Sequence, residues 1–416
     1  MLAAAAALLC ALQAEAPDYA FARRATLDLA GRLPATDELR AFAKKPDRER
    51  LVAALLESDD ARLYHADLWM QWLLDWDFDN PDFFRFKAGE THAWLREGFD
   101  RPFAATVKAL LARDGAAGNF ARKHLPQDGE PPVKLAVLSA RLFLGRDIRC
   151  AQCHDHPSEK LSHEEFWAWT AFFGAGRGGL RDHLGERRAA PRMLDGRTPP
   201  GDARPLEYLA EHLDPRPALA ERYWRLLTGR AGHPPELEAV ETPKAMLRAI
   251  VDRPEYRAGP LKAMNPVQFM NAFATVFDLR EAHQHMHEKA MASDKVLPIY
   301  KDEQVLRLFF HKWARDMLLP RGRHPEDDDA RGTVRMALKL MNNGKVSKYY
   351  TSGWGLLRKV LNRTSRPADR VEELFLCVLG RPPSADERAA FRPSTDPDYE
   401  DLFWALVNSA EFTFVP

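Results

Sequence analysis

Ala30-Gly-Arg-Leu-Pro-Ala-Thr-Asp-Glu-Leu-Arg-Ala-Phe42 returns near the other end of the chain as Leu379-Gly-Arg-Pro-Pro-Ser-Ala-Asp-Glu-Arg-Ala-Ala-Phe391. In each copy a glycine, Gly31 or Gly380, can close one helix in the left-handed conformation that side chains disfavour. A proline follows, Pro34 or Pro383. Thr36 or Ser384 can then cap the next helix, with Glu38 or Glu387 in its first turn. Each copy leads into a helix that ends in Ser plus acidic residues, 51–59 and then 402–411. A looser third copy starts at Leu227-Thr-Gly-Arg230 and continues through 246–256. The unit is helix–turn–helix, and the repeat reads as a structural device, with binding through exposed Arg32 and Arg381 as the lesser alternative.

Outward from the repeat, apolar residues recur at helical spacing almost everywhere, as in 50–56 and 133–144. Alternating strand-like runs are scarce. Pro and Gly clusters at 127–132, 189–205 and 232–235 interrupt the pattern. The expected fold is mainly α: multi-helix, bundle-like domains with repeated helix–turn–helix units and Pro/Gly-rich loops. The boundaries read from sequence are a signal peptide over 1–16, an N-terminal helical domain over 17–185, a linker over 186–205 and a C-terminal helical domain over 206–416.

Composition narrows the function. With 416 residues and 45% hydrophobic content the chain can build real cores. Lys+Arg and Asp+Glu balance at 60 each, which argues against a nucleic-acid binder needing a basic face. Met1-Leu-Ala-Ala-Ala-Ala-Ala-Leu-Leu-Cys10 opens an apolar run too short to span a bilayer, and Ala14-Glu-Ala16 offers a small-x-small cleavage site. A periplasmic or secreted location is expected, with no transmembrane span in the mature chain. Of four cysteines, Cys10 would leave with the leader, and Cys377 sits in a helical run with Val371, Leu374, Phe375 and Val378, where a buried, inert thiol is expected.

The chemistry concentrates in Cys150-Ala-Gln-Cys-His154. Two thiols three positions apart, followed at once by an imidazole, is the arrangement that attaches c-type haem. Each thiol adds to one vinyl group, and His154 reaches the iron. The competing reading is a divalent metal, Zn²⁺ above all, held by the thiolates with His154 or His156 and with His163 as a further ligand. A reversible disulfide or a purely structural loop is the third. Trp167, Trp169, Phe172 and Phe173 in the following helix could wall a porphyrin or simply pack a core. Met193 and His183 are candidates for a sixth iron ligand.

Other signals are weaker. His283-Gln-His-Met-His287 could hold a divalent or copper ion, though solvated histidines explain it as well. The Asp75–Asn80 stretch begins like a calcium loop but has Asn80 where glycine is needed, so it is no EF-hand. Trp69, Trp72 and Trp76 form a helical stripe that reads as core, with a sugar-stacking platform as the minority view. Glu326-Asp-Asp-Asp329 reads as a solvated loop. No phosphate-cradling glycine loop or nucleophile elbow is present.

With these motifs assembled, the chain resembles the secreted cytochrome-c-like proteins of planctomycetes, which pair an N-terminal cytochrome-like domain with a C-terminal domain, both of unknown function. Arg23-Arg-Ala-Thr-Leu-Asp-Leu-Ala-Gly-Arg-Leu-Pro34 is similar to that family's opening. Leu142–Gly145, Cys150–Pro157 and Phe166–Phe173 are similar to its central signature. Pro215–Gly229, Met336–Asn342 and Phe403–Phe412 resemble parts of its C-terminal domain. Ser158 departs from the pattern, standing where an aromatic is usual. The resemblance implies export and a haem c, with no established reaction; the partner expected from the whole reading is an unknown redox or envelope protein.

Overall fold

The computed structural model describes residues 17–74, 87–125, 132–174, 189–279, 284, 287–289, 291–293, 295, 301–318, 341–342, 350–351, 353 and 355–416. The expected leader over 1–16 therefore lies outside the described residues, as do Trp76, the 75–80 stretch, His183, most of the His283–His287 cluster, Glu326–Asp329 and most of Met336–Asn342.

The described chain is almost wholly helical, as its periodicity predicted, and its strands amount to one two-residue pair. Gly31, Gly145 and Gly380 end their helices at φ of +65°, +65° and +72°. At Gly31 a second constraint operates, because a Cβ would enter the Tyr64 ring. Contacts divide the chain into two units that interleave in sequence. One is Met1–Tyr64, Leu227–Gly229 and Val251–Pro416; the other is His65–Leu226 and Arg230–Ile250. The 186–205 segment read as a linker falls inside the second unit, and the first unit joins the two ends of the chain. Sequence could not foresee this, because the pairing of distant segments is set by tertiary contacts.

In the first unit the Pro17–Ala30 helix is the axis of assembly. Arg23 donates from Nη1 to Phe414 O (2.7 Å) and from Nη2 to Phe412 O (3.1 Å). Arg24 donates to Pro416 O (2.8 Å) and Leu227 O (3.1 Å). Asp28, fully buried, accepts from Lys262 Nζ (2.5 Å), Tyr256 Oη (3.1 Å) and Gln268 Nε2 (3.1 Å). A buried carboxylate is tolerated only when its lone pairs are answered in this way. Lys262–Ala263 pairs antiparallel with Phe414–Val415, in register Lys262↔Val415. The core beneath includes Phe269, Phe273, Phe277, Leu374, Phe375 and Phe403.

Both strict copies of the repeat lie in this unit, and they build the same ion-pair clamp. Arg32 grips both oxygens of Glu38 (2.8 Å each) and reaches Asp60 with Nε (2.6 Å). Arg381 grips Glu387 (2.7 and 2.9 Å) and Glu411 (2.6 and 2.8 Å). The acidic residue following Ser58 or Ser409 thus closes a loop back onto the arginine. The structural reading of the repeat holds, and neither arginine is spare. One detail differs from expectation. Ser384 caps its helix, accepting from Glu387 N (3.2 Å), but Thr36 does not. The residue aligned with Ser384 is Ala35, so Glu38 alone secures that end through Ala35 N (2.8 Å), while Thr36 donates to Glu373 (3.1 Å). In the third copy Gly229 repeats the left-handed turn, and a short 3₁₀ turn, Pro235–Ala239, replaces the second helix.

The second unit is packed around aromatic side chains. Trp69 donates from Nε1 to Tyr223 Oη (2.9 Å), and Trp72 meets the Tyr223 ring edge-on at 5.6 Å. Trp69 and Trp72 are buried, so this part of the stripe is core and offers no sugar platform. Phe120 packs on Phe143, and Trp169 on Phe172 and Phe173. No helix among the described residues is long and apolar enough to cross a membrane.

Candidate functional site: the Cys150–His154 loop

The Val133–Leu144 helix and the His163–Thr170 helix bracket the cysteine loop. Gly145 turns the chain out of the first helix, and Arg146 N returns to Ala140 O (3.2 Å), closing that end. The second helix starts with a reciprocal cap: Ser162 Oγ accepts from Glu165 N (3.2 Å), while Glu165 accepts from Ser162 N (2.7 Å). Arg146 also pairs with Glu159 (3.1 Å), tying the two sides of the loop together.

Between these ends the loop is nailed down by apolar plugs and turned outward at the chemistry. Ile148, Ala151 and Leu161 are buried. Cys150 lies on a 3₁₀ turn, Arg149–Gln152, and Cys153 directly follows it; both are exposed free thiols. His154 is exposed beside them. A 3₁₀ turn followed by a bend, with Ile148 and Ala151 plugged inward three positions apart, is what presents the pair to solvent.

The three imidazoles are held in different ways. His154 Nδ1 lies 2.7 Å from Asp155 O, and a carbonyl can only accept, so Nδ1 carries the hydrogen. The Nε2 lone pair of His154 is therefore the one available to a metal. Ligating histidines are commonly fixed through such a second bond. His156 is set the other way: its Nδ1 accepts from Ser158 N (3.3 Å) and Glu159 N (3.0 Å). In the neutral ring Nε2 then bears the hydrogen. His163 donates from Nδ1 to Ala151 O (3.2 Å), the carbonyl between the two cysteines, and lies edge-on to Trp167 at 6.1 Å. Its backbone N–H is taken by Asp155 Oδ1 (2.7 Å). His163 and Asp155 thus position the loop. Sequence reasoning missed Asp155, because its bond to His163 N crosses eight residues of loop and Ser162 holds the capping position.

Among the described residues no cluster of three His, Cys, Asp or Glu side chains is arranged to hold a metal. The zinc ligand set of Cys150, Cys153, His154 or His156, and His163 is accordingly not assembled in this conformation. The donor set for a haem does fit: two free, exposed thiols at the required spacing and an adjacent imidazole with Nε2 open. The aromatic wall does not take the form the sequence allowed. Trp169, Phe172 and Phe173 are almost wholly buried, and Trp169 Nε1 is spent on Ala136 O (2.9 Å). They fill the core behind the loop and leave no free face for a porphyrin. Met193 is buried too, in a turn closed by Met193 N to Arg197 O (2.8 Å), whereas the thiols are exposed.

Cys377 is half-buried with its Sγ 3.9 Å from Glu373. Burial first, then the Glu373 charge, pushes its thiol up to about 12, so it stays protonated and inert at neutral pH. Its role matches the sequence reading, although it lies at the edge of the core.

Residues 1–177 match the family model described as PSCyt2, a protein of unknown function (DUF1549). That span contains the first copy of the repeat and the entire cysteine loop, the segments that carry the resemblance to the planctomycete domain. No curated protein matches the chain, and no solved structure does.

Proposed function

We propose that this chain is an exported c-type haem protein of the cell envelope, with Cys150 and Cys153 as the tethering thiols and His154 as the axial ligand. The observation that carries the reading is the pairing of two free, exposed thiols with an imidazole whose Nδ1–H is committed to Asp155 O, leaving Nε2 as the donor. When bound, haem supplies one-electron chemistry, with a potential tuned by its ligands and surroundings. The residues of the chain then have plain tasks. Asp155 orients His154 through its carbonyl and anchors the next helix through its carboxylate. His163 fixes the carbonyl of Ala151 and with it the spacing of the two thiols. Ile148 and Leu161 hold the loop against the core while its chemistry faces outward.

Such an exposed tether suits electron exchange with an envelope partner better than enclosed catalysis, because Trp169, Phe172 and Phe173 cannot shelter a substrate. The zinc alternative, if it runs through His156, asks that ring to leave the hydrogen bonds its Nδ1 accepts from Ser158 N and Glu159 N. It remains the outcome that the experiment must separate. The chain, expressed with c-type maturation machinery, is expected to be red, to show a Soret band, and to keep its pigment through acid–acetone extraction. Peptide mass mapping should place the added mass on 150–154. Cys150→Ala with Cys153→Ala should remove it. A colourless chain with unmodified cysteines would end the haem reading, and stoichiometric zinc in that material would establish the rival.

A further inference from the structure

A second site lies in the first unit, remote in sequence from the cysteines. A cavity of about 360 Å³ is lined by five arginines, Arg23, Arg24, Arg48, Arg257 and Arg381, and on its acceptor side by the Glu411 carboxylate and by Pro416, whose oxygen accepts from Arg24 (2.8 Å). That volume lies at the lower end of small-molecule pockets. The compensation of these charges is uneven. Arg381 is answered by Glu387 and Glu411. Arg24 has Asp28 at 3.8 Å, shared with Lys262, and donates to Pro416 O and Leu227 O. Arg23, 2% exposed, donates to the carbonyl oxygens of Phe412 and Phe414 and feels the Glu411 charge, while its Nε has no hydrogen-bond partner. Burial pulls Arg23 down to about 10, opposed by the Glu411 charge and helped by a smaller push from Arg381. Arg257 is exposed at the rim.

The backbone is arranged to admit these guanidinium groups. A Cβ on Gly259 would stand 2.6 Å from Arg24 Nη2, and one on Gly380 would stand 2.8 Å from Arg23 Cδ. Tyr19, Phe21, Leu261 and Phe414 supply an apolar side to the same cavity. Guanidinium groups prefer planar or tetrahedral oxyanions, which they grip through paired N–H donors.

We infer that this cavity is a binding site for a small organic acid, a molecule that places a carboxylate or phosphate among Arg23, Arg24 and Arg257 and its non-polar body against Tyr19, Phe21 and Phe414. The site is independent of the cysteine loop and of any haem. A bound anion would relieve the mutual repulsion of Arg23 and Arg381 and so raise the stability of the folded chain.

The test is calorimetry and thermal unfolding of the full chain with benzoate, phenyl phosphate, inorganic phosphate and neutral benzyl alcohol, at one fixed ionic strength so that screening is constant. Benzoate or phenyl phosphate should bind saturably and raise the melting temperature, while benzyl alcohol should not. Arg257→Gln, at the exposed rim, should leave the unliganded melting temperature unchanged and weaken binding about tenfold, the loss expected for one charge-assisted contact. Three results overturn the proposal. One is no saturable binding by any of the anions. Another is undiminished binding in Arg257→Gln. The third is inorganic phosphate binding as tightly as phenyl phosphate, which would show an adventitious ion site that ignores the apolar side.

Discussion

Acid should begin to destabilise this protein well above the carboxylate range, and His65 is the reason. Its ring is 4% exposed, between Phe99 at 5.3 Å and Trp69 at 5.9 Å. Trp69 N–H donates to Tyr223 Oη (2.9 Å), which leaves the Tyr223 hydroxyl hydrogen to donate to His65 Nδ1 (3.4 Å). That chain requires a neutral imidazole. Burial first, then the charges of Arg101 and His92, push His65 down to about 3 from a usual value near 6.5. Between those limits the unfolded chain holds a proton on His65 that the folded chain refuses, so stability falls as pH drops from 6.5 towards 3. One pH unit inside that window costs about 1.4 kcal/mol. Lowering the pH from 6.5 to 4.5 removes about 2 kcal/mol through this one group, a large part of an ordinary domain's stability. Carboxylates such as Glu221, which burial would raise but which Arg225 and His233 hold down at about 2, lose their contribution as pH falls from about 4.5 to about 2. The two effects thus begin at different points on the pH axis. Urea unfolding from pH 7.5 to 4.5, read through the Tyr223 and Trp69 environment, should show this slope in the native chain. His65→Phe should flatten it by about 2–3 kcal/mol over the same interval, whatever its own effect at neutral pH. Parallel pH profiles for the two proteins would refute the assignment.

Three further outcomes follow from the packing. Gly31→Ala should cost about 2–4 kcal/mol, from a left-handed backbone and a methyl driven into the Tyr64 ring; a change in the urea midpoint corresponding to under 1 kcal/mol would contradict this. Arg381→Ala should cost about 2–3 kcal/mol by stranding Glu387 and Glu411, and Arg381→Lys should recover only part of it because the fork is lost; equal melting temperatures for the Lys variant and the parent would argue against the clamp. In haem-free folded protein an alkylating reagent should modify Cys150 and Cys153 and spare Cys377 until denaturant is added, with peptide mapping as the readout. Early modification of Cys377 would be incompatible with its protonated, half-buried thiol.

The cysteine loop shows how far local reasoning reaches. The spacing of Cys150, Cys153 and His154 was legible, as were the helix boundaries at Gly145 and the turn before His163, because spacing and left-handed glycines are properties of a few neighbouring residues. What those residues face was not legible. Nothing in the order of Trp167, Trp169, Phe172 and Phe173 distinguishes a porphyrin wall from a core, and the outcome depended on helices elsewhere closing over them. Which nitrogen of His154, His156 or His163 is free likewise depended on loop carbonyls and amides whose positions sequence does not give.

The chain by itself determined its helices and the repeat, down to the arginine that each copy places after its glycine, because periodicity, capping and left-handed turns are written within a dozen residues. Only tertiary structure decided that Arg23 reaches Phe414 across 391 positions, that Asp28 meets Lys262, and that the two ends of the chain form one unit. Those contacts arise from burying charge and apolar surface together. That free energy belongs to the assembled core and to no local stretch of sequence.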